Sequence, residues 1–371
     1  MKHAELIKYK NLILTLVLVI LITIPEINTA QLSAGFSTTQ VYDSNPYRSP
    51  IAEAEIISSY SGGIEYDFTS FNFLYYGSYS LFNKSVERNN YWHQFGFYKS
   101  GEDNILGIYG EQRINKELYN YYDYISVTGY YRKKLDSLFM NPVLNLSAGY
   151  KNYTNLSDYN NVFISAGLNL NRSFDTKTAL ILNSALNYKY YLNTGSMLGA
   201  RNNSSALSST QLYFNFRAAQ SLFENTGLAV YYINRSLLGE SLSLLGDYYS
   251  SYGDESDLFD DPYSRNENAF GAELTQILPL EIIAKTGFEI SSRNYPSQGI
   301  YINSELYETG TDREDSQNAF YLQMNKTIPL DSANQTSLNF GINYSYINKS
   351  SNSYWYDYKG STFTINLGLQ F

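Results

Sequence analysis

Apolar and polar residues alternate with a period of two along most of this chain. In the stretch 338–346, Leu, Phe, Ile or Tyr occupies every second position, and Asn, Gly or Ser lies between them. The stretches 144–151 and 162–170 show the same alternation. Because successive side chains of a β-strand point to opposite faces of a sheet, this pattern predicts strands with one apolar and one polar face. The many Tyr, Phe and Thr residues also favour strands over helices.

About sixteen such segments follow one another, each close to the ~9–11 residues with which a tilted strand crosses a bilayer. We therefore predict an all-β protein, a transmembrane antiparallel up-and-down β-barrel of about sixteen strands. A barrel of fourteen strands is the alternative, if residues 31–66 form a plug or a loop instead of a hairpin. The predicted strands begin near residues 31, 51, 71, 91, 104, 121, 141, 159, 177, 206, 226, 266, 281, 316, 335 and 360.

The lengths of the predicted connections fall into two classes. With the first strand running outward from the periplasm, the inner turns are short, for example Ser100–Asp103 and Ser173–Thr176. The outer connections include the three longest of the chain, Tyr191–Ser205, Leu238–Arg265 and Tyr295–Asp315. Short periplasmic turns and long outer loops are typical of outer-membrane barrels, so the loop lengths support the strand assignment.

The N-terminal residues 1–30 have the pattern of a cleaved signal peptide. Three lysines precede the apolar run Leu12–Ile24, and Pro25 ends it. The run is shorter than the ~20 residues that a spanning helix needs, which disfavours the alternative of a membrane anchor. We predict export, and a single transmembrane β-barrel over residues 31–371.

The amino-acid composition excludes several classes of function. The chain has 39 Tyr and 20 Phe but only 16% charged residues, and it has no Cys, so disulfides and thiol chemistry are excluded. After residue 30 it has no apolar run of the ~18 residues expected of a membrane helix. A formal net charge of −9 argues against nucleic acid as a partner. No cofactor is expected.

The last predicted strand has apolar residues at alternate positions and ends on an aromatic residue. It resembles the C-terminal signature strand of Gram-negative outer-membrane β-barrel proteins, including porins. That resemblance implies an outer-membrane location, contact with lipid and lipopolysaccharide, and recognition by the barrel-assembly machinery. The residues that carry the resemblance are Phe363, Ile365, Leu367, Leu369 and Phe371.

The polar face of the predicted strands carries charges of both signs among Asn, Ser, Thr and Gly. A water-filled lumen fits this better than a packed one, since barrels of sixteen to eighteen strands leave an aqueous channel. We predict a porin-like channel for passive diffusion of small hydrophilic solutes; the alternative reading of these charges is structural pairing. The predicted pore-lining residues are Glu111, Arg113, Lys151, Lys189, Arg217, Arg235, Glu273, Lys285 and Glu289.

Two other functions are consistent with the same fold. A non-conducting binding, scaffold or adhesin barrel would use the long outer loops. A transporter of hydrophobic compounds would need an N-terminal plug, for which residues 31–50 are short. Trimeric general porins constrict the pore with a long third outer loop, but here that connection, Ile114–Asn120, is short. The oligomeric state therefore stays open.

Enzymatic chemistry is not expected. His93 is the single histidine after the predicted leader, and a polar residue at the membrane interface is the favoured interpretation over a general base. No confident metal site is present. One acidic loop could bind a divalent cation that bridges it to lipopolysaccharide phosphates, it could fold inward and bias the pore toward cations, or it could simply be solvated. Its residues are Asp254, Glu255, Asp257, Asp260 and Asp261.

The tyrosines near the predicted strand ends fit the aromatic girdles that mark the two membrane interfaces. A second interpretation is a stacking surface for sugars inside the lumen, to which Tyr109, Tyr213 and Tyr231 could contribute. The predicted girdle residues are Tyr75, Tyr76, Tyr79, Tyr121, Tyr122, Tyr124, Tyr130, Tyr131, Tyr190, Tyr191, Tyr344, Tyr346, Tyr354, Tyr356 and Tyr358.

Overall fold

The computed structural model describes residues 32–68, 70–136, 139–193, 208–239, 261–331 and 336–371. In these ranges no helix is long and apolar enough to span a membrane. Sixteen strands form one closed antiparallel barrel, and two short strands, β14 (Ile300–Tyr301) and β15 (Tyr307–Glu308), pair with each other in an outer loop. The barrel strands are β1 (Leu32–Asp43), β2 (Glu55–Asp67), β3 (Asn72–Phe82), β4 (Asn90–Ser100), β5 (Asn104–Asn115), β6 (Tyr124–Lys134), β7 (Asn141–Tyr153), β8 (Asn161–Ser173), β9 (Thr178–Tyr191), β10 (Ser208–Phe223), β11 (Thr226–Leu237), β12 (Asn266–Leu278), β13 (Ile282–Tyr295), β16 (Arg313–Pro329), β17 (Ser337–Ser351) and β18 (Tyr358–Gln370).

The first and last strands close the barrel. β1 pairs with β18 from Gly35 opposite Gln370 to Asp43 opposite Thr362, and it pairs with β2 along its whole length. Closure leaves no strand edge unpaired in the lipid, which is the condition for a sheet to span a membrane. The predicted sixteen-stranded barrel is confirmed. The fourteen-stranded alternative is wrong, because residues 32–67 form a hairpin of the wall.

The two ends of the barrel differ as the sequence predicted. One end carries the short turns, for example 101–103 and 224–225. The other end carries the three longest intervals between barrel strands, 192–207, 238–265 and 296–312. We call these the turn end and the loop end; by the rule for outer-membrane barrels, the loop end faces outward from the cell.

The pairing register separates two faces of the wall. On the outer face, large apolar side chains are exposed, with Leu106 at 60%, Phe270 at 56% and Ile164 at 55%. In a water-soluble protein such a surface would be unstable, whereas in a barrel it is the face that contacts lipid. In β18 the outward positions are occupied by Phe363, Ile365, Leu367 and Leu369, all exposed.

The tyrosine prediction holds only in part. Six of the predicted girdle residues lie on the outer face, namely Tyr75, Tyr79, Tyr131, Tyr190, Tyr344 and Tyr346. The prediction is wrong for five that lie on the inner face, namely Tyr76, Tyr124, Tyr130, Tyr191 and Tyr358. The remaining four lie in outer loops. Strand ends are rich in tyrosine on both faces, so nearness to a strand end does not by itself predict which face a tyrosine occupies.

Candidate functional site

The candidate site is the lumen. The register places all nine predicted pore-lining residues on the inner face, where they divide between two walls. The ionic wall is the inner face of β10–β13, β16 and β17. The hydroxyl–aromatic wall is the inner face of β5–β8. Glu111, Arg113 and Lys151 belong to the hydroxyl–aromatic wall, Lys189 lies on β9 between the two walls, and the other five belong to the ionic wall.

Glu273 is the centre of the ionic wall at mid-height. Its carboxylate accepts a hydrogen bond from Arg217 at 2.7 Å and one from the Tyr321 hydroxyl at 2.6 Å, and the Lys285 ammonium lies 3.9 Å away. Nearby, the Tyr231 hydroxyl donates to Glu289 at 3.0 Å. The sequence predicted these charges as inward, with structural pairing as an alternative, but it did not identify which residues pair, since Arg217 and Glu273 are 56 residues apart along the chain.

A second ionic centre lies higher on the same strand, at Glu267. This one carboxylate binds three guanidinium groups, at 2.9 Å from Arg235, 3.1 Å from Arg265 and 2.7 Å from Arg293. Glu267 is thus the shared acceptor of three arginines from three segments of the chain. Arg265 and Arg293 were not among the predicted residues. The alternation along β13 places Arg293 inward, so the sequence carried a signal for it.

A third ionic centre, around Asp315, was missed by the sequence analysis. Asp315 forms ion pairs with Arg313 and, at 2.8 Å, with Lys349, and none of the three side chains is exposed. The Arg313 guanidinium also stacks on Tyr356, 3.3 Å from the ring centroid, and donates to Gln298 at 3.1 Å. Two outer loops therefore cover this centre. The seventh, residues 296–312, contributes Gln298, and the eighth, residues 352–357, contributes Tyr356.

The end of the sixth outer loop, which connects β11 to β12, folds into the barrel. Asp261 accepts hydrogen bonds from Lys189 at 2.8 Å and from the Tyr191 hydroxyl at 2.7 Å. Gln211 of β10 donates to the Pro262 carbonyl at 2.6 Å. Asp261 is thus held by β9, and in the described part of the chain no group of His, Asp or Glu is placed to hold a metal ion. The other predicted cation ligands, Asp254, Glu255, Asp257 and Asp260, lie outside the described residues.

Charges on the hydroxyl–aromatic wall are held differently. Glu111 accepts hydrogen bonds from the Trp92 indole at 2.9 Å and from the Tyr124 hydroxyl and Ser126 hydroxyl at 3.4 Å each. The Lys151 ammonium lies 4.0 Å from the centroid of the Tyr124 ring, a cation–π contact. Glu111 is thus held by neutral donors, whereas Glu273 on the ionic wall is held by cations.

Glycines let several inward aromatic rings lie along the wall instead of across the lumen. A Cβ atom at Gly271 would lie 2.1 Å from the Tyr231 ring, and one at Gly287 would lie 2.3 Å from the Tyr321 ring. Each ring therefore occupies the space that a side chain on the next strand would fill. Tyr109, Tyr213 and Tyr231 do not form one stacking surface, because Tyr109 is on β5 and the other two are on β10 and β11.

The third outer loop carries a tyrosine cluster and no constricting segment. Tyr122 packs with Tyr124, Tyr153 and Tyr159 at the loop end of the wall. Burial raises the pKa of Tyr122 above its ordinary value, because the phenolate would be formed away from water. Tyr122 therefore stays neutral, and the cluster joins the third loop to the neighbouring wall.

His93 lies on the outer face of β4. Its Nδ1 is 2.9 Å from the Tyr75 hydroxyl, and its ring is parallel to that of Tyr91. It thus sits among outward tyrosines, as a polar residue of a membrane interface does. This position on the opposite side of the wall separates it from every charged group of the lumen described above.

Solved outer-membrane proteins share this fold. OccAB3 of Acinetobacter baumannii matches with a TM-score of 0.56 at 9% identity, covering 92% of this chain and 100% of that chain. The outer membrane protein OprD of Pseudomonas aeruginosa matches at 0.52 and 10% identity, over 93% and 94%. OccAB1 of Acinetobacter baumannii matches at 0.50 and 13% identity, over 92% and 96%.

No protein-family model matches the chain, and no curated protein matches it. At identities of 9–13% the structural likeness establishes the fold and nothing finer. The closed wall, the exposed apolar outer face and the full-length match to outer-membrane proteins agree with one another. The chain is a closed, sixteen-stranded antiparallel β-barrel with the fold of solved outer-membrane proteins.

Proposed function

We propose that this barrel is a porin-like channel for passive diffusion of small hydrophilic solutes. The observation that carries the proposal is the solvent exposure of charged side chains at mid-height inside a closed wall. The Lys285 side chain is 39% exposed and that of Arg217 is 33% exposed, although both point away from the lipid. Ionised groups need water or partners, so their exposure at this depth supports an aqueous lumen.

The alternatives receive less support from the described residues. A transporter of hydrophobic compounds needs a plug, but residues 32–67 are part of the wall. A hydrolase needs a general base near a pocket, but His93 points to the lipid face. An adhesin would depend on the outer loops, and nothing in the described contacts favours it over a channel.

Cysteine accessibility tests the proposal directly, because the chain has no Cys of its own. Ser165→Cys places a thiol on the inner face of β8, and Ser184→Cys places one on the outer face of β9. We expect a water-soluble charged thiol reagent to modify the inward cysteine and lower the single-channel current. The outward cysteine, covered by lipid, should react slowly and leave the current unchanged. Equal reaction at both positions, or none at the inward position, would contradict an aqueous lumen.

We also propose that the alternating apolar residues of β18 and Phe371 are read by the barrel-assembly machinery. In the folded barrel the Phe371 amide donates to the Ala34 carbonyl at 2.9 Å, so the residue adds to closure as well. Phe371→Ser should reduce assembly in cells far more than it reduces refolding in detergent. Equal losses in both assays would assign the residue to closure alone.

A further inference from the structure

Two neighbouring cavities follow the hydroxyl–aromatic wall. The upper cavity has a volume of about 200 Å³ and lies between this wall, Lys189 and Tyr263 of the sixth loop. The lower cavity has a volume of about 460 Å³ and extends toward the turn end as far as Arg132 and Asn145. Tyr109 and Thr128 line both cavities, so the two adjoin; we call the pair the groove. A pocket of the lower cavity's size lies in the range that binds small molecules.

The register orders the groove into rows that run across neighbouring strands. Rows are two residues apart along each strand, a step of about 7 Å. The upper row contains only hydrogen-bonding groups, and the middle row contains a phenol, a hydroxyl, a glycine and a phenyl ring. The upper row is Glu111, Ser126, Lys151 and Asn161, the middle row is Tyr109, Thr128, Gly149 and Phe163, and the lower row is Gly107, Tyr130, Ser147 and Ser165.

Two aromatic rings lie flat in this groove because their neighbours are glycines. A Cβ atom at Gly149 would lie 2.3 Å from the Phe163 ring, and one at Gly107 would lie 2.5 Å from the Tyr130 ring. Each ring is folded over the adjacent strand and lines a cavity. The groove therefore offers ring faces at two successive heights, with hydroxyl and amide groups beside them.

The charges of the upper cavity balance. Glu111 is held by the neutral donors Trp92, Tyr124 and Ser126, and the Lys151 ammonium lies over an aromatic ring. The third charged group, Lys189, is already bound to Asp261. One carboxylate and one ammonium face this small space, so a net charge on a solute gains on one side and loses on the other. The charged group of the lower cavity, Arg132, lies at its turn-end limit, with its guanidinium 5.9 Å from the centroid of the Tyr130 ring. Hydroxyl groups, which both donate and accept, can use both partners.

We propose that this groove is a track for uncharged polyhydroxy solutes of the size of one sugar ring. The proposal rests on the channel function proposed above and adds the solute class and the wall that selects it. A sugar ring presents hydroxyl groups at its edge and C–H groups on its faces. The edge matches Glu111, Lys151 and the hydroxyl groups, and the faces match the rings of Phe163 and Tyr130.

Three ring-shaped solutes that differ mainly in charge test the solute class. D-glucose is neutral, D-glucosamine is protonated at neutral pH and D-glucuronate is an anion. Each is added to the refolded full barrel in a planar bilayer while single-channel current in KCl is recorded. We expect D-glucose to interrupt the current at the lowest concentration. Tighter block by either charged sugar, or no block by D-glucose, would overturn the proposal while leaving the open channel established.

Substitutions test which of the two walls binds the solute. Phe163→Leu removes a ring from the groove, and Tyr213→Leu removes an inward ring from the ionic wall. We expect Phe163→Leu to raise the half-blocking concentration of D-glucose about five- to tenfold, the value of one aromatic face. Tyr213→Leu should change it less than twofold. Glu111→Gln is a second variant of the groove and should weaken the block as well. A larger effect of Tyr213→Leu than of Phe163→Leu would overturn the proposal.

Fluorescence provides a readout that does not depend on conduction. The chain has two tryptophans, and Trp92 donates its indole N–H to Glu111. In the Trp355→Phe barrel, emission comes from Trp92 alone. We expect D-glucose to change this emission saturably, and the Glu111→Gln substitution to weaken that change. If no current is seen but D-glucose changes the emission saturably, the channel is refuted and the binding site is kept. If a steady current is seen but D-glucose changes neither the current nor the emission, the site alone is refuted.

Discussion

The two walls of the lumen both carry inward charges but satisfy them by different means. On the ionic wall, carboxylates and cations bind one another across two or three strands, as Glu273 binds Arg217. On the hydroxyl–aromatic wall, Glu111 is held by an indole and two hydroxyl groups, and Lys151 lies over a ring. An ion network fixes its members, whereas a wall of neutral partners leaves hydrogen-bonding capacity for a solute.

This difference assigns distinct roles to residues that look alike in the sequence. Arg217 and Lys151 both alternate with apolar neighbours in a strand, and both point inward. Only their partners separate them, and those partners come from distant parts of the chain. We therefore expect substitutions on the ionic wall to lower stability and substitutions on the other wall to alter solute passage.

The largest effect is expected at Asp315. Asp315→Asn leaves Arg313 and Lys349, both fully buried, without their shared negative charge. Breaking a buried ion pair costs about 3–5 kcal/mol, so the free energy of unfolding in urea should fall by about that amount. The control is Glu281→Gln at the turn end, where the carboxylate paired with Lys326 is 89% exposed and the change should be unmeasurable. Equal effects of the two substitutions would remove the distinction between buried and exposed charges.

The next largest effect on stability is expected for Gly287→Ala. A methyl group there would lie 2.3 Å from the Tyr321 ring, which must move off the wall and away from Glu273. Such overpacking costs about 1–3 kcal/mol, and the displaced ring should also reduce single-channel conductance. Gly129→Ala is the control, because its Cβ meets no atom closer than 4.0 Å. Unchanged conductance and stability in Gly287→Ala would show that the ring does not depend on this space.

Replacing one glutamate of each wall with glutamine compares the two walls through smaller changes in the free energy of unfolding. Glu267→Gln leaves three guanidinium groups facing one another, and should lower the free energy of unfolding by about 1–3 kcal/mol. Glu111→Gln keeps an acceptor for Trp92 and the two hydroxyl groups, so its cost should stay below about 1 kcal/mol. Urea unfolding of both variants in the same lipid checks the order. A reversed order would contradict the division into an ionic and a neutral wall.

The smallest effect is expected on the outer face. His93→Ala removes one hydrogen bond to Tyr75 and should cost about 0.5–1 kcal/mol without changing the conductance. Phe is a better-matched replacement, since it keeps the contact with Tyr91. A loss of conductance in His93→Phe would mean that this residue acts on the lumen, against its place on the lipid side.

The sequence predicts the barrel well because a barrel strand has only two faces. A period of two identifies sixteen strands to within a few residues, and it assigns Glu111, Lys151 and Glu273 to the lumen. It cannot predict pairing between strands that are far apart in the chain. Asp261 illustrates this: the sequence left its loop solvated, cation-binding or folded inward, and it gave no sign of the partner that the structure shows, Lys189, 72 residues away.

Residues near strand ends were the hardest to assign. Arg313 and Lys349 lie at the loop end, where the alternation gives way to the irregular sequence of the outer loops. Their burial depends on Gln298 and Tyr356 from two loops, and no local pattern encodes the meeting of those loops. Tyrosines are frequent on both faces in this region, which explains why nine of the fifteen predicted girdle residues lie on the inner face or in loops.

The most direct test of the central claim is the single-channel conductance of the refolded barrel in a planar bilayer, first in KCl and then across a salt gradient. A water-filled lumen predicts stable current steps of porin size, and the reversal potential gives the sign of ion selectivity. Absence of steps from a protein shown to be folded and inserted would contradict the open lumen.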